Sequence, residues 1–152
     1  FYPIVKYERI SRNIFGPGGY LKIINSIMSD VLNDYGLDAK KRSNNKKDGK
    51  DVWIERNGRP LKLGGKGIKL SKGVAYHGFN FYVKKESTDG FKYVNPCGYS
   101  QKYLGVIDLE RALGKEVDVP GFKKEVLNKI KENFDYKSIK KIDKNNINYK
   151  NP

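Results

Sequence analysis

Cysteine is nearly absent from this chain. Cys97 is the one instance in 152 residues, so no intramolecular disulfide can form and no thiolate cluster can hold a metal. Histidine is as scarce, with His77 alone, and zinc takes about three or four such ligands, so no metal is assigned. No apolar run approaches the roughly 20 residues that span a bilayer, and nothing resembles the charged, apolar and small-residue succession of a signal peptide. These absences point to a protein of a reducing, cytoplasmic compartment with no membrane partner. Carboxylates are also in short supply: 17 Asp and Glu stand against 31 Lys and Arg, a formal net charge of +14. Such a balance favours acidic partners, whether nucleic acid, anionic lipid or acidic protein, and by itself does not choose among them. Part of the excess is compositional, in the Lys- and Asn-rich stretches 43–47 and 144–148, which read as solvated loop and tail.

What is present suffices for one core, with 38% hydrophobic and 12% aromatic residues. The chain opens on Phe rather than Met, and the run Phe1 to Val5 reads as a strand entered midway, which predicts residues upstream. Tyr2 to Tyr7 is expected as a strand. Between Gly19 and Gly36, Tyr20, Ile24, Ile27, Met28, Val31 and Tyr35 recur at the three-four spacing of one helical face, and Gly36 supplies the stop. Asp51 to Arg56 reads as a strand ending at Asn57-Gly58, the pair best suited to a two-residue hairpin turn. Leu61 to Leu70 and Val74 to Val83 are two further strands, and Phe91 to Val94 a short extended piece. Asp108 is placed to cap a short helix through Leu113, and Val119 to Phe134 forms another, with Phe122, Val126, Ile130 and Phe134 on one stripe. The sum is an α+β class, helices packed on a mixed, mostly antiparallel sheet. Residues 1–136 are read as a single catalytic-type domain and 137–152 as a polar tail.

Chemistry is sparse and therefore easy to locate. Cys97 sits in Asn95-Pro96-Cys97-Gly98, where Gly98 lets a carbonyl approach the sulfur closely. A thiol of pKa near 8.5 is only about a few per cent thiolate at neutral pH, so a nucleophile there needs a cation, a base or a helix N-terminus beside it. The plainer reading of a lone cysteine is a small buried hydrophobe. His77, in Tyr76-His77-Gly78 within an apolar strand, is either a structural, hydrogen-bonded side chain or half of a Cys-His couple if the fold brings it to Cys97. Gly64-Gly65-Lys66-Gly67 lacks the spacing of a phosphate loop and lies in a strand-like segment. Lys62 is flanked by Leu61 and Leu63. A lysine held among apolar groups can shuttle protons near neutrality, although on local evidence alone a strand lysine faces solvent.

Taken together, Asn57-Gly58 through Leu63, Ile68-Lys69-Leu70, Gly73 through Gly78, and Val94 through Gly98 occur in the order found in the octanoyltransferase family of lipoate synthesis, which this chain resembles over most of its length. The resemblance implies the fold shared by biotin and lipoate protein ligases, with the family's N-terminal strands missing here, as in a fragment, a two-chain enzyme whose other half is a separate chain, or a divergent homologue. It implies a Cys/Lys dyad of Cys97, the acyl acceptor, and Lys62, the acid/base. Tyr76, His77, Gly78, Gly64, Gly65, Asn95 and Gly98 are implied as substrate-binding positions. The partners implied are octanoyl-acyl carrier protein and the lipoyl domains of 2-oxoacid dehydrogenases or glycine cleavage H protein. The chemistry requires no cofactor. Two other readings stay open: an ATP-dependent lipoate or biotin ligase relative, independent of Cys97, and a basic RNA-binding module stacking bases on Tyr76, Phe79, Phe81 and Tyr82.

Overall fold

A computed structural model describes residues 1–6, 16–41, 52–94 and 105–134. In chain order the elements are β1 (Val5–Lys6), α1 (Gly16–Asp34), β2 (Ala39–Lys41), β3 (Val52–Arg56), β4 (Arg59–Lys62), β5 (Gly64–Ser71), β6 (Val74–Phe81), two 3-10 turns at Lys85–Ser87 and Asp89–Tyr93, β7 (Gly105–Val106), α2 (Leu109–Leu113) and α3 (Val119–Phe134). The strands form two sheets, ordered β1-β6-β5 and β2-β3-β4-β7, antiparallel except for the parallel pair β4-β7. The expected mostly antiparallel α+β arrangement is therefore present, divided into two sheets.

The core lies between the helices and one face of each sheet. Helix α1 starts at Gly16, ahead of the expected boundary, and buries Tyr20, Ile23, Ile24, Ile27, Met28, Val31 and Leu32. Each such side chain contributes about 2 kcal/mol when taken from water. Gly36 ends the helix at φ +78°. Its N–H donates to the Asn33 carbonyl and the Leu37 N–H to the Leu32 carbonyl, the paired bonds of a Schellman cap. Helix α3 runs antiparallel to α1, because Tyr20 meets Phe134 at 5.8 Å while Tyr35 meets Phe122 at 5.4 Å between ring centroids. Its stripe of Phe122, Val126, Ile130 and Phe134 is buried, as the spacing predicts.

Asn57 and Gly58 both take positive φ, 53° and 71°, which suits the twist of the β3-β4 hairpin. Lys72 and Gly73 do the same between β5 and β6, at 48° and 77°. Three expectations are corrected. The predicted strand over Leu61 to Leu70 is broken at Leu63: β4 belongs to one sheet and β5 to the other. The chain turns there because Gly64 brings its backbone against β6. A Cβ on Gly64 would lie 2.0 Å from the Asn80 carbonyl oxygen. The Tyr2 to Tyr7 strand is shorter than expected, with ladder pairing at Val5–Lys6 and a separate pair of bonds between Phe1 and Phe79, each nitrogen donating to the other's carbonyl at 3.0 Å; Pro3, which has no N–H to give, lies between. Phe91 to Val94 is not extended. Its first residues close the Asp89–Tyr93 3-10 turn, with Phe91 N–H on the Thr88 carbonyl and Val94 N–H on the Phe91 carbonyl.

Candidate functional site

The Asn57-Gly58 turn sets the register of β3 against β4 and places Trp53 directly opposite Lys62. Val52, Ile54 and Leu63 join the core that α1 covers, whereas Trp53 does not. By the alternation of strand side chains, Trp53 and Lys62 share the other face of the four-stranded sheet. Lys62 is 8% exposed, and its Nζ lies 5.7 Å from the centroid of the Trp53 ring. On the far side of β4, the parallel strand β7 sets Val106 opposite Lys62, and Ile107 N–H donates to the Lys62 carbonyl at 3.0 Å. The local expectation of a solvent-facing lysine is thus corrected: the hairpin and β7 close over it. Removing an ammonium from water is costly, and an aromatic face offsets part of that cost, on the order of 2 kcal/mol when desolvated. The Trp53 indole Nε1 is itself buried, with no acceptor among the described residues.

One residue beyond Leu63, β5 enters the second sheet. Lys66 faces α1, where it bonds the Asn25 side chain, while Gly65 and Gly67 face away. Opposite them on β6 stand Asn80 and Gly78. Gly65, Gly67 and Gly78 leave a strip of sheet with no side chains, and a groove of about 440 Å³ follows it, walled by Tyr2, His77 and Asn80. The Asn80 side-chain oxygen accepts from Gly65 N–H at 2.9 Å. Gly78 has a second reason to be glycine, since a Cβ there would meet the Phe1 carbonyl oxygen at 2.0 Å. Tyr76 is half-buried on the same face, 5.3 Å from the His77 ring. His77 is exposed and adopts φ +64°, so it is not the interior histidine that its apolar neighbours suggest. The backbone turns at this position and delivers the imidazole to the groove.

The third part is a polar clamp. Asp108, fully buried, caps α2 by accepting from Arg111 N–H at 2.8 Å, and also accepts from the Thr88 hydroxyl at 2.8 Å and the Arg111 guanidinium at 2.7 Å. Arg111 reaches on to Asp89 at 2.7 Å, and Glu110 accepts from Lys84 Nζ at 2.6 Å. Burial alone would raise the Asp108 carboxyl, but the bonds from Arg111 N–H, Thr88 and the guanidinium outweigh it and hold the group below the usual carboxylate range. The clamp joins residues 88–89 to 108–111, the two flanks of the segment that carries Asn95, Cys97 and Gly98. Those three residues lie outside the described ones.

Sequence reasoning finds Lys62, Tyr76, His77 and the glycines, and the fold sets them on adjoining parts of the two sheets around Leu63. It misses Trp53, Tyr2, Asn80 and the Thr88–Asp108–Arg111 clamp. For Trp53 a signal existed, because a two-residue turn at Asn57-Gly58 dictates the pairing with Lys62. A separate cleft of about 530 Å³ opens between the end of α1 and α3, beside Asp34, Tyr35, Glu125 and Lys129. It shares no residue with the groove. Tyr35 is pushed up to about 12 there by burial and by Glu125. No group of three or more His, Cys, Asp or Glu side chains among the described residues could hold a metal ion, and no helix among them is long and apolar enough to cross a membrane.

The family model for the lipoyl protein ligase A/B catalytic domain matches residues 1–131. The chain belongs to that family. Within it, the chain is 29% identical over 135 residues to an octanoyltransferase of Porphyromonas gingivalis, covering 88% of this chain and 25% of that protein. It is 33% identical over 118 residues to a probable octanoyltransferase of Pyrobaculum arsenaticum, covering 78% and 47%, and 35% identical over 120 residues to an octanoyltransferase of Dictyoglomus turgidum, covering 79% and 47%. The chain thus spans between a quarter and about half the length of these curated relatives. Among solved structures, the apo biotin protein ligase of Aquifex aeolicus superposes with a TM-score of 0.60 at 16% identity, over 88% of this chain and 51% of that one. This chain has the biotin/lipoate ligase-like fold that its sequence motifs imply.

Proposed function

We propose that this chain carries the thiol and lysine of an octanoyltransferase, moving an octanoyl group from acyl carrier protein to a lysine of a lipoyl domain. The observation that carries this reading is the buried Lys62, held on Trp53 at the point where β4 runs into the glycine-floored groove. The groove suits an extended aliphatic chain, because the glycine floor lets the chain lie close to a sheet whose backbone groups are paired in the ladder, beside Tyr2, Ile68 and Phe79. The named octanoyltransferase relatives support the acyl group, and membership of the lipoyl protein ligase family supports the acceptor class.

The chemistry follows in two displacements. Lys62 takes the proton of Cys97, and the thiolate attacks the carbonyl of the octanoyl thioester. The carbonyl–sulfur bond to the carrier breaks, and the departing carrier thiolate takes the proton back from the Lys62 ammonium. The neutral amine of the acceptor lysine then attacks acyl-Cys97 and loses a proton to Lys62, and Cys97 leaves as thiolate. A thiolate beside an ammonium remains, ready for the next cycle, and an amide has formed. No cofactor enters either step.

Intact-mass analysis after incubation with octanoyl-acyl carrier protein tests the scheme. A hydroxylamine-labile octanoyl adduct is expected, absent in Cys97→Ser, with transfer lowered about 10²- to 10⁴-fold in Lys62→Met. Transfer of free octanoate that needs ATP and persists in Cys97→Ser would replace this scheme with a ligase mechanism. If the chain alone forms no adduct, the same test is run with the N-terminal half of an octanoyltransferase relative added in trans. Continued absence of adduct then overturns the dyad.

A further inference from the structure

Among the described residues, the three-stranded sheet has one face against α1 and one face that no element covers, and this second face carries charge of one sign. Phe1 and Val5 point to the core side, Phe1 stacking on Phe79 at 5.5 Å and Val5 2% exposed. Tyr2, Ile4 and Lys6 therefore point outward, Tyr2 and Ile4 being 80% and 71% exposed. Across the sheet, Lys6 pairs with Val74, Val74 with Ser71, and Tyr76 with Lys69, whose Nζ lies 5.9 Å from the Tyr76 ring centroid. Lys72 stands exposed at the hairpin tip. No Asp or Glu occurs in the sequence between Glu55 and Glu86, so nothing on β5 or β6 neutralises these ammonium groups. The face is thus graded: a side-chain-free groove walled by exposed Tyr2 at the Gly67–Gly78 end, then exposed Ile4 with half-buried Tyr76 and its partner Lys69, and Lys6 and Lys72 at the hairpin end.

We infer that this hairpin end docks the acyl donor: an acidic carrier domain that presents its thioester on a long, phosphodiester-bearing arm. The inference rests on the octanoyl-transfer reading for the identity of the donor. Charge complementarity selects the occupant, since carboxylates of the carrier and the phosphodiester of its arm both meet lysines, while the arm and acyl chain run along the apolar middle into the groove. Lys72 supports the assignment independently. It occupies a positive-φ turn position, φ +48°, where Asn or Gly is the unstrained choice, yet it presents a charge at the tip.

The test is binding of fluorescently labelled octanoyl-acyl carrier protein to the full chain at low and at raised salt. The Lys6→Glu/Lys69→Glu/Lys72→Glu variant is expected to weaken binding on the order of tenfold or more at low salt and to remove most of its salt dependence. The Arg triple variant should restore both. Lys123→Glu/Lys124→Glu, on exposed α3 positions, is the control for net charge and should leave binding within about twofold. Equal weakening by the α3 control, an undiminished affinity in the face variant, loss only for a lipoyl-domain ligand, or no binding of carrier to the unaltered chain each overturns the docking assignment. Circular dichroism of the variants excludes misfolding. A small octanoyl thioester, which needs no carrier, reports on Cys97 separately. An adduct from it in the face variant shows the chemistry intact with docking lost, and no adduct in the unaltered chain, with the N-terminal half of a relative added in trans, counts against the dyad and not against docking.

Discussion

The two sheets meet at Leu63 and treat their outer faces in opposite ways. The four-stranded sheet buries an aromatic and an ammonium there, Trp53 and Lys62, both under 10% exposed. The three-stranded sheet leaves glycine, exposed Tyr2 and Ile4, and lysines with no carboxylate on β5 or β6. The first arrangement suits a proton-transfer group, whose charge is controlled by restricting water. The second suits recognition, because a ligand must find backbone and charge without first displacing side chains. On the proposed reading, placing both on adjoining strands lets a substrate bound along one sheet extend its reactive end toward the other.

The joint is where the largest effect is expected. Gly64→Ala puts a Cβ 2.0 Å from the Asn80 carbonyl, backbone that cannot yield as a flexible side chain does. A loss of about 3 kcal/mol in urea unfolding is expected. Gly67→Ala, with nothing within 4 Å of its Cβ, should leave stability unchanged and narrow the groove, lowering octanoyl transfer only. Equal destabilisation by both would erase the distinction between closed joint and open face.

Next in size is the clamp. Asp108→Ala removes the α2 cap and a buried acceptor of three bonds, at a cost of about 2 kcal/mol. The sign with pH follows from the lowered Asp108 carboxyl: its stabilisation is complete above the ordinary carboxylate range and is lost as pH falls through the folded value. Melting temperature should therefore drop as pH falls below the ordinary carboxylate range, and Asp108→Asn should flatten that slope. An unaltered slope in Asp108→Asn would assign acid sensitivity to other carboxylates, with Glu110, lowered by its bond from Lys84, the first to try.

Smaller still is the stability change expected at the closed site. Lys62→Met exchanges a buried cation for an apolar chain of similar length, and stability should move by less than about 1 kcal/mol in either direction while transfer collapses. A large loss of stability would make Lys62 a structural residue.

Sequence and structure agree closely wherever one element decides its own form. The α1 and α3 stripes, the Gly36 stop, the Asp108 cap and the Asn57-Gly58 turn are all settled by side chains within a few residues. The failures are non-local. Nothing in Leu61-Lys62-Leu63-Gly64 announces a change of sheet, because the cause is the Asn80 carbonyl sixteen residues away. The burial of Lys62 depends on β7, more than forty residues on. His77 reads as interior from its apolar neighbours, and a positive φ at a histidine carries no sequence mark. Phe91 to Val94 has strand-like residues, yet the Thr88 carbonyl draws Phe91 N–H into a 3-10 turn.

The finest discrimination lies between the two hairpins. Both turns hold two residues at positive φ, but the closed sheet uses Asn57 at 53° and the open one Lys72 at 48°. Both residues set a Cβ against the following carbonyl, but the short amide of asparagine offsets this by local hydrogen bonding and the lysine side chain does not, a difference of about 1 kcal/mol. Lys72→Asn should therefore raise stability by a little under 1 kcal/mol, and Asn57→Lys should lower it by a similar amount. Because neither turn residue is buried, the difference is one of backbone conformation and should survive added salt. If Lys72→Asn gains stability and loses carrier affinity together, the strained lysine is retained at the tip for its charge. If it gains stability and binds as before, the open face recognises its partner through Lys6 and Lys69, and the turn lysine is only tolerated.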